Sequence, residues 1–130
     1  MRTYQYTGSE RTKAVQRLAI SLASMHQPTL VVRFGPEEPG DPLTLWGSVL
    51  PIEVIQIRLP GLHWPSSHTP ADSVAVQTAM AVLAQVIASG AHRMVILDGI
   101  NSLVAHDLLE PSELQRLAES VPSQTQIATT

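Results

Sequence analysis

The chain has 130 residues, of which 44% are apolar and 15% charged, with a formal net charge of −3 and no cysteine. This length suits one domain, residues 1–130, and the composition is that of a folded protein rather than a disordered one. The acidic balance argues against nucleic-acid binding, and the lack of cysteine excludes disulfides and thiolate metal sites. The N-terminal segment has no long apolar stretch typical of a signal peptide, so we expect a cytoplasmic protein.

The first half of the chain predicts three strands and one helix. Residues 3–6 are β-prone, and residues 12–25 carry apolar side chains at the i, i+3, i+4, i+7 spacing of an amphipathic helix. Residues 29–34 (TLVVRF) form a continuous β-branched run, as expected for a buried strand. After a proline-rich loop, the alternating pattern of residues 52–59 predicts the next strand.

The second half predicts a long helix that opens at Ala71-Asp72 and closes at Gly90, a glycine suited to a helix C-cap. Residues 93–98 are the clearest buried strand, and two short helices and a strand at 125–128 follow. This alternation predicts an α/β fold in three layers, α/β/α, around a mainly parallel sheet of about five strands. In such sheets ligands bind outside the carboxyl ends of the strands.

Residues 7–14 (TGSERTKA) lie between the first strand and the first helix, where a phosphate-binding loop belongs. Gly8 and Lys13 keep the spacing of the intact pattern G-x-x-x-x-G-K-[ST]. Thr12 replaces the second glycine, and Ala14 replaces the hydroxyl residue that would hold Mg²⁺. The N-terminus of the helix still favours an anion, which predicts a damaged phosphate loop. A plain strand-turn-helix with a surface lysine is the alternative.

Asp98 ends the strand predicted at residues 93–98. A strand that ends in aspartate resembles a Walker B motif, in which the carboxylate holds Mg²⁺ directly or through water. The alternative is an aspartate that caps the following turn.

Taken together, these segments resemble the ATP:corrinoid adenosyltransferase family, which is of the P-loop type. The resemblance extends from residue 6 to residue 127 and is carried by Tyr6-Thr7-Gly8, Val31 to Phe34, Gly61-Leu62-His63-Trp64, Asp98-Gly99-Ile100-Asn101, Leu108-Leu109-Glu110 and Glu113-Leu114. It implies a P-loop NTPase-like core, binding of ATP with Mg²⁺, and transfer of the adenosyl group to a corrinoid.

Several positions depart from the pattern of this family. Ala14 stands where the family has threonine, and Gly99 stands where it has glutamate, a second carboxylate on the metal side. The family's N-terminal extension and its C-terminal segment have no counterpart in the sequence. We therefore predict a degenerate, non-catalytic member that acts as a binding or assembly protein. The alternatives are a divergent active adenosyltransferase that binds ATP through Lys13 and Asp98, and an unrelated α/β domain.

The candidate nucleotide-site residues share a position in the phosphate loop, in the turn after the strand at 93–98, or in the second proline-rich loop. They are Gly8, Ser9, Arg11, Thr12, Lys13, Trp64, Asp98 and Asn101, and Asp98 is also the candidate metal ligand. No catalytic residue is predicted. Beyond the ATP, Mg²⁺ and corrinoid that the resemblance implies, no cofactor is predicted. Trp64 is suited to packing on a flat ligand or, alternatively, to anchoring its own loop in the core.

The long predicted helix carries no charged residue from Ser73 to Ala91. Its length approaches that of a membrane span, but its polar residues and many alanines favour a helix buried within the protein. A helix exposed on one side of a small domain normally has a charged face. We therefore predict that the second face binds another protein chain, as a homodimer or with a different partner. The alternative is a surface that is simply uncharged.

Overall fold

The computed structural model describes residues 3–5, 11–34, 47, 49–57 and 70–130. Its helices and strands follow one another in the predicted order: β1 (Thr3–Gln5), α1 (Arg11–Ser24), β2 (Thr29–Phe34), β3 (Ile52–Ile57), α2 (Pro70–Ala88), β4 (Met94–Asp98), α3 (Ile100–Ala105), α4 (Pro111–Glu119) and β5 (Gln126–Thr129). The ends differ from the predicted ones by one or two residues, as is usual for boundaries read from a sequence.

The strands form one sheet in the order β1-β5-β4-β2-β3, and every neighbouring pair is parallel. The prediction of a mainly parallel sheet of about five strands is confirmed. Because all strands point the same way, their carboxyl ends meet at one edge, which we call the carboxyl edge. A single strand, β5, separates β1, which precedes the phosphate-loop segment, from β4, which ends in Asp98.

Both faces of the sheet are covered, which confirms the three-layer architecture. Helices α2, α3 and α4 pack on one face, against side chains such as Leu30, Leu97 and Ile127. Helix α1 packs on the other face through Ala19 and Ala23, whose neighbours in the same cluster are Val31, Met94, Ile96 and Ala128. Small side chains at the buried positions of α1 allow its backbone to approach the sheet closely.

Alternation along the strands determines which polar residues reach the α1 face. Val31, Ile96 and Ala128 lie on that face, and side chains two residues apart on a strand share a face. The next such positions towards the carboxyl edge are Arg33 on β2, Asp98 on β4 and Thr130 just after β5. Arg33 and Asp98 are register partners, so the three lie side by side at that edge.

Helix α2 buries one face and exposes the other. Its buried residues include Val76, Leu83 and Ile87, whereas Val74 and Val82 are 66% and 53% exposed. Within the described ranges, none of the helices combines the length and apolarity that a membrane span requires. The uncharged face of α2 thus lies on the surface of this chain.

Candidate functional site

The carboxylate of Asp98 has two partners at the carboxyl edge. Its Oδ2 atom lies 3.6 Å from Nε of Arg33, and both side chains are largely buried, with Arg33 10% and Asp98 14% exposed. Its Oδ1 atom accepts a hydrogen bond of 2.8 Å from the hydroxyl of Thr130. Each oxygen of this largely buried carboxylate therefore has a favourable neighbour, one a cation and the other a hydroxyl donor.

Thr130 joins the end of β5 to the turn that follows β4. Its hydroxyl accepts a 2.7 Å hydrogen bond from the backbone N–H of Gly99, and its carbonyl accepts one of 2.8 Å from the N–H of Asn101. Its own N–H donates to the carbonyl of Leu97. Since the Thr130 hydroxyl accepts a hydrogen bond from Gly99, its own hydrogen is directed at Asp98. The turn, the aspartate and the end of β5 therefore form one hydrogen-bonded unit.

Gly99 adopts a left-handed backbone conformation with φ of 91°. A Cβ atom at this position would lie 2.8 Å from the carbonyl oxygen of Phe34, at the end of the neighbouring strand β2. Residues with a side chain rarely adopt this φ, and the contact is with backbone that cannot rotate away. The glutamate that the family resemblance places here is therefore incompatible with the backbone of this turn.

Asn101, a predicted site residue, lies in the first turn of α3, directly beside this unit. Its backbone N–H is bonded to Thr130, and its side-chain Nδ2 is buried without a hydrogen-bond partner among the described residues. The structure thus brings two of the predicted site residues, Asp98 and Asn101, to the same turn.

The other predicted site residues are only partly covered by the described ranges. Arg11, Thr12 and Lys13 form the first turn of α1, and only their backbone is described. Gly8, Ser9 and Trp64 lie outside the described residues. Because β1 ends at Gln5 and α1 begins at Arg11, the first turn of α1 lies towards the carboxyl edge, on the face that holds Arg33 and Asp98.

Sequence reasoning missed Arg33 and Thr130. A signal for Arg33 was available, because a charged residue in an otherwise apolar buried strand requires a buried partner of opposite charge. Thr130 gave no comparable signal, since its role depends on the register between β4 and β5.

The side chains that the structure describes at the carboxyl edge do not fit a protein-bound Mg²⁺ ion. Magnesium requires near-octahedral oxygen ligands, and in nucleotide sites it is held by one or two side chains and the phosphates. Among the described residues no three acidic or histidine side chains are grouped to hold a metal. Asp98, the one carboxylate in the described part of the edge, is already paired with a cation. Gly99 supplies no second carboxylate, and Ala14 supplies no hydroxyl.

A parallel five-stranded sheet covered on both faces, with an aspartate at the carboxyl end of β4, defines an α/β domain of the P-loop NTPase-like class. A family model described as ATP:corrinoid adenosyltransferase BtuR/CobO/CobP matches residues 3–130. The chain therefore belongs to this family, and the alternative of an unrelated domain is wrong. No individual curated protein matches the chain significantly.

Proposed function

We propose that this chain is a degenerate corrinoid adenosyltransferase-like domain that does not transfer adenosyl groups and acts as a binding or assembly protein in the cytoplasm. The observation that carries the proposal is the turn after β4. There Asp98 is paired with Arg33, and Gly99 has no room for a second carboxylate.

The expected loss of nucleotide affinity supports this proposal. A charge-assisted contact contributes about 1.5–3 kcal/mol, which corresponds to about 10- to 100-fold in affinity. The chain lacks two such contacts to the metal, because Ala14 replaces a hydroxyl residue and Gly99 replaces a carboxylate. Catalysis on a phosphorylated substrate depends strongly on positioned charge. The loss of these two metal contacts should therefore lower the reaction rate more than it lowers the affinity for Mg·ATP.

The surface of α2 supports a role in assembly. From residue 73 to residue 88, its exposed face carries Val74 and Val82 and no charged side chain. Beside it, a groove of about 380 Å³ runs between α2 and α4. Glu113 and Arg116 line this groove on the α4 side, and Gln77 donates to Glu113 across it at 3.4 Å. An apolar surface with polar groups along one side is typical of a protein-binding site, and we propose a homodimer or another protein partner here.

A divergent but active adenosyltransferase is the second candidate. It is favoured by the position of Lys13 in the first turn of α1, which lies towards the carboxyl edge. In this alternative, Lys13 would contact the phosphates and Asp98 would have to exchange Arg33 for a metal ion.

An adenosyl-transfer assay separates the two candidates. The full chain would be incubated with Mg·ATP and a chemically reduced corrinoid, and formation of the cobalt–carbon bond would be followed by absorbance, with an active family member as positive control. We expect no rate above the protein-free control.

Calorimetry with Mg·ATP provides the second arm of the test. Sub-millimolar binding that is lost in Lys13→Ala but retained in Arg17→Ala would support the active enzyme. Arg17 is the matched control because it is an exposed basic residue of the same helix, one turn further on.

A further inference from the structure

We infer that Arg33 takes the place of a divalent cation beside Asp98, so that the carboxyl edge carries a fixed positive charge of its own and does not bind Mg²⁺. This inference deepens the proposed function and rests on it, because it gives a physical reason for the loss of metal-dependent chemistry. It makes Asp98 a partner of Arg33 in the fold rather than a metal ligand.

The register of the sheet places the two side chains together. Arg33 and Asp98 are paired positions on the adjacent strands β2 and β4, on the same face and at the same edge. The backbone pairing of these two strands therefore positions Nε of Arg33 beside Oδ2 of Asp98. Both side chains are largely buried, so neither reaches its partner from an exposed surface position.

The second carboxylate oxygen is also engaged. Oδ1 of Asp98 accepts from Thr130, whose hydroxyl is oriented by the N–H of Gly99. A metal ion bound directly to Asp98 would have to share or displace one of these two partners. It would also lie beside a guanidinium that stays protonated in proteins, and the two positive charges would repel one another.

Burial makes this pairing hard to exchange. Both side chains are largely removed from solvent, so breaking the contact between their opposite charges is costly. A Mg²⁺ ion that took over Asp98 would remove the contact between its Oδ2 atom and the largely buried guanidinium of Arg33. Glutamate at position 99 would supply a second negative charge, but the carbonyl of Phe34 excludes a side chain there. Asp98 is thus the single acidic side chain in the described part of this edge, and Arg33 already matches it.

Metal titration of the full chain, without ATP or corrinoid, tests this inference. Backbone amide signals of Gly99 and Thr130 would be followed by NMR during addition of Mn²⁺, and thermal unfolding would be compared in EDTA and in 10 mM Mg²⁺. For the native chain we expect no selective broadening of these two signals and the same Tm in both solutions. Selective broadening that Asp98→Asn removes would overturn the inference.

Arg33→Gln provides the complementary test, because it removes the internal cation and leaves the carboxylate. We expect its Tm to fall by several degrees in EDTA and to recover partly in Mg²⁺. For a dissociation constant of about 1 mM, 10 mM Mg²⁺ would raise its folding constant about tenfold. Arg33→Lys keeps a positive charge and should stay insensitive to metal, as should the double variant Arg33→Gln/Asp98→Asn. A folded Arg33→Gln variant that ignores Mg²⁺ would also overturn the inference.

Different experiments would contradict the proposed function and the inference about Arg33. An active enzyme in the adenosyl-transfer assay would contradict the proposed function, whereas selective Mn²⁺ broadening in the native chain would contradict the role of Arg33. If Arg33→Gln does not fold, the Mn²⁺ titration of the native chain still decides the question.

Discussion

The carbonyl oxygen of Phe34 lies 2.8 Å from the point at which a Cβ atom of residue 99 would stand. Phe34 ends β2 and Gly99 follows β4, so the contact joins two adjacent strands at the carboxyl edge. The glycine therefore does more than replace a functional carboxylate. It allows the turn to approach a neighbouring backbone in a way that any residue with a side chain would prevent.

Gly99→Glu should destabilise the chain rather than restore a metal site. A residue with a side chain pays about 1–3 kcal/mol for a strained backbone conformation, and here the contact with Phe34 adds to it. We expect a loss of more than about 2 kcal/mol in the free energy of unfolding, measured with urea. Gly99→Ala should lose a comparable amount, since the cost arises at Cβ. Gly90→Ala is the control, because φ is 73° there but the nearest atom lies at 3.5 Å.

A Gly90→Ala variant as unstable as Gly99→Ala would show that φ, and not the contact with Phe34, sets the cost. A Gly99→Glu variant that is as stable as the native chain and binds Mg²⁺ would contradict both the steric argument and the proposed loss of metal chemistry.

Removing the hydroxyl of Thr130 should loosen the turn after β4. Thr130→Val leaves the N–H of Gly99 and Oδ1 of Asp98 without this partner in a buried setting. An unsatisfied buried group costs about 1–3 kcal/mol, so we expect a loss of about 2–4 kcal/mol. Thr130→Ser keeps the hydroxyl and should lose less than half as much. Urea unfolding measures both, and a loss for Thr130→Val that is no larger than the loss for Thr130→Ser would contradict the proposed role of the hydroxyl.

Two neighbouring residues of α2 should respond differently to truncation. Leu83 is 2% exposed and belongs to the main core cluster, whereas Val82 is on the opposite, exposed face. Leu83→Ala should lower the free energy of unfolding by about 2–5 kcal/mol, and Val82→Ala should change it by less than about 0.5 kcal/mol at a protein concentration that keeps the chain monomeric. A large loss for Val82→Ala in the monomer would mean that its side chain is buried within the chain itself.

A charge on the exposed face of α2 should disrupt the proposed assembly. Burying an unpaired lysine in an interface is costly, so Val82→Lys should weaken self-association or partner binding at least tenfold. Light scattering over a range of protein concentrations measures self-association. Gln115→Lys, on the exposed side of α4, is the matched control. Equal behaviour of the native chain and Val82→Lys at all concentrations, with equal partner binding, would refute the proposed surface.

The order of the elements and the parallel sheet could be predicted because the buried strands are short apolar runs bounded by proline and glycine. β4, for instance, is apolar from Met94 to Leu97. Asp98, at the end of β4, lies at the carboxyl edge of the sheet, as predicted. The prediction of a damaged phosphate loop stays a prediction, since residues 6–10 lie outside the described ranges.

The environment of Asp98 could not be predicted from the sequence in the same way. Its partner Arg33 is 65 residues earlier in the chain, and Thr130 is 32 residues later. Which residues meet at the edge depends on strand order and register, and these depend on the packing of the whole sheet. The φ of Gly99 is likewise determined by the approach of β2, so a glycine in a turn gave no information about Phe34.

The sheet order also affects how the protein is synthesised. β1 has β5 as its described sheet neighbour, although the two are separated by nearly the whole chain. During translation, the opening strand therefore has no edge to join until residues 126–129 have left the ribosome. Pairings this distant in sequence form late because a long loop must close first. Strand β1 is consequently among the last of the described elements to be fixed in place.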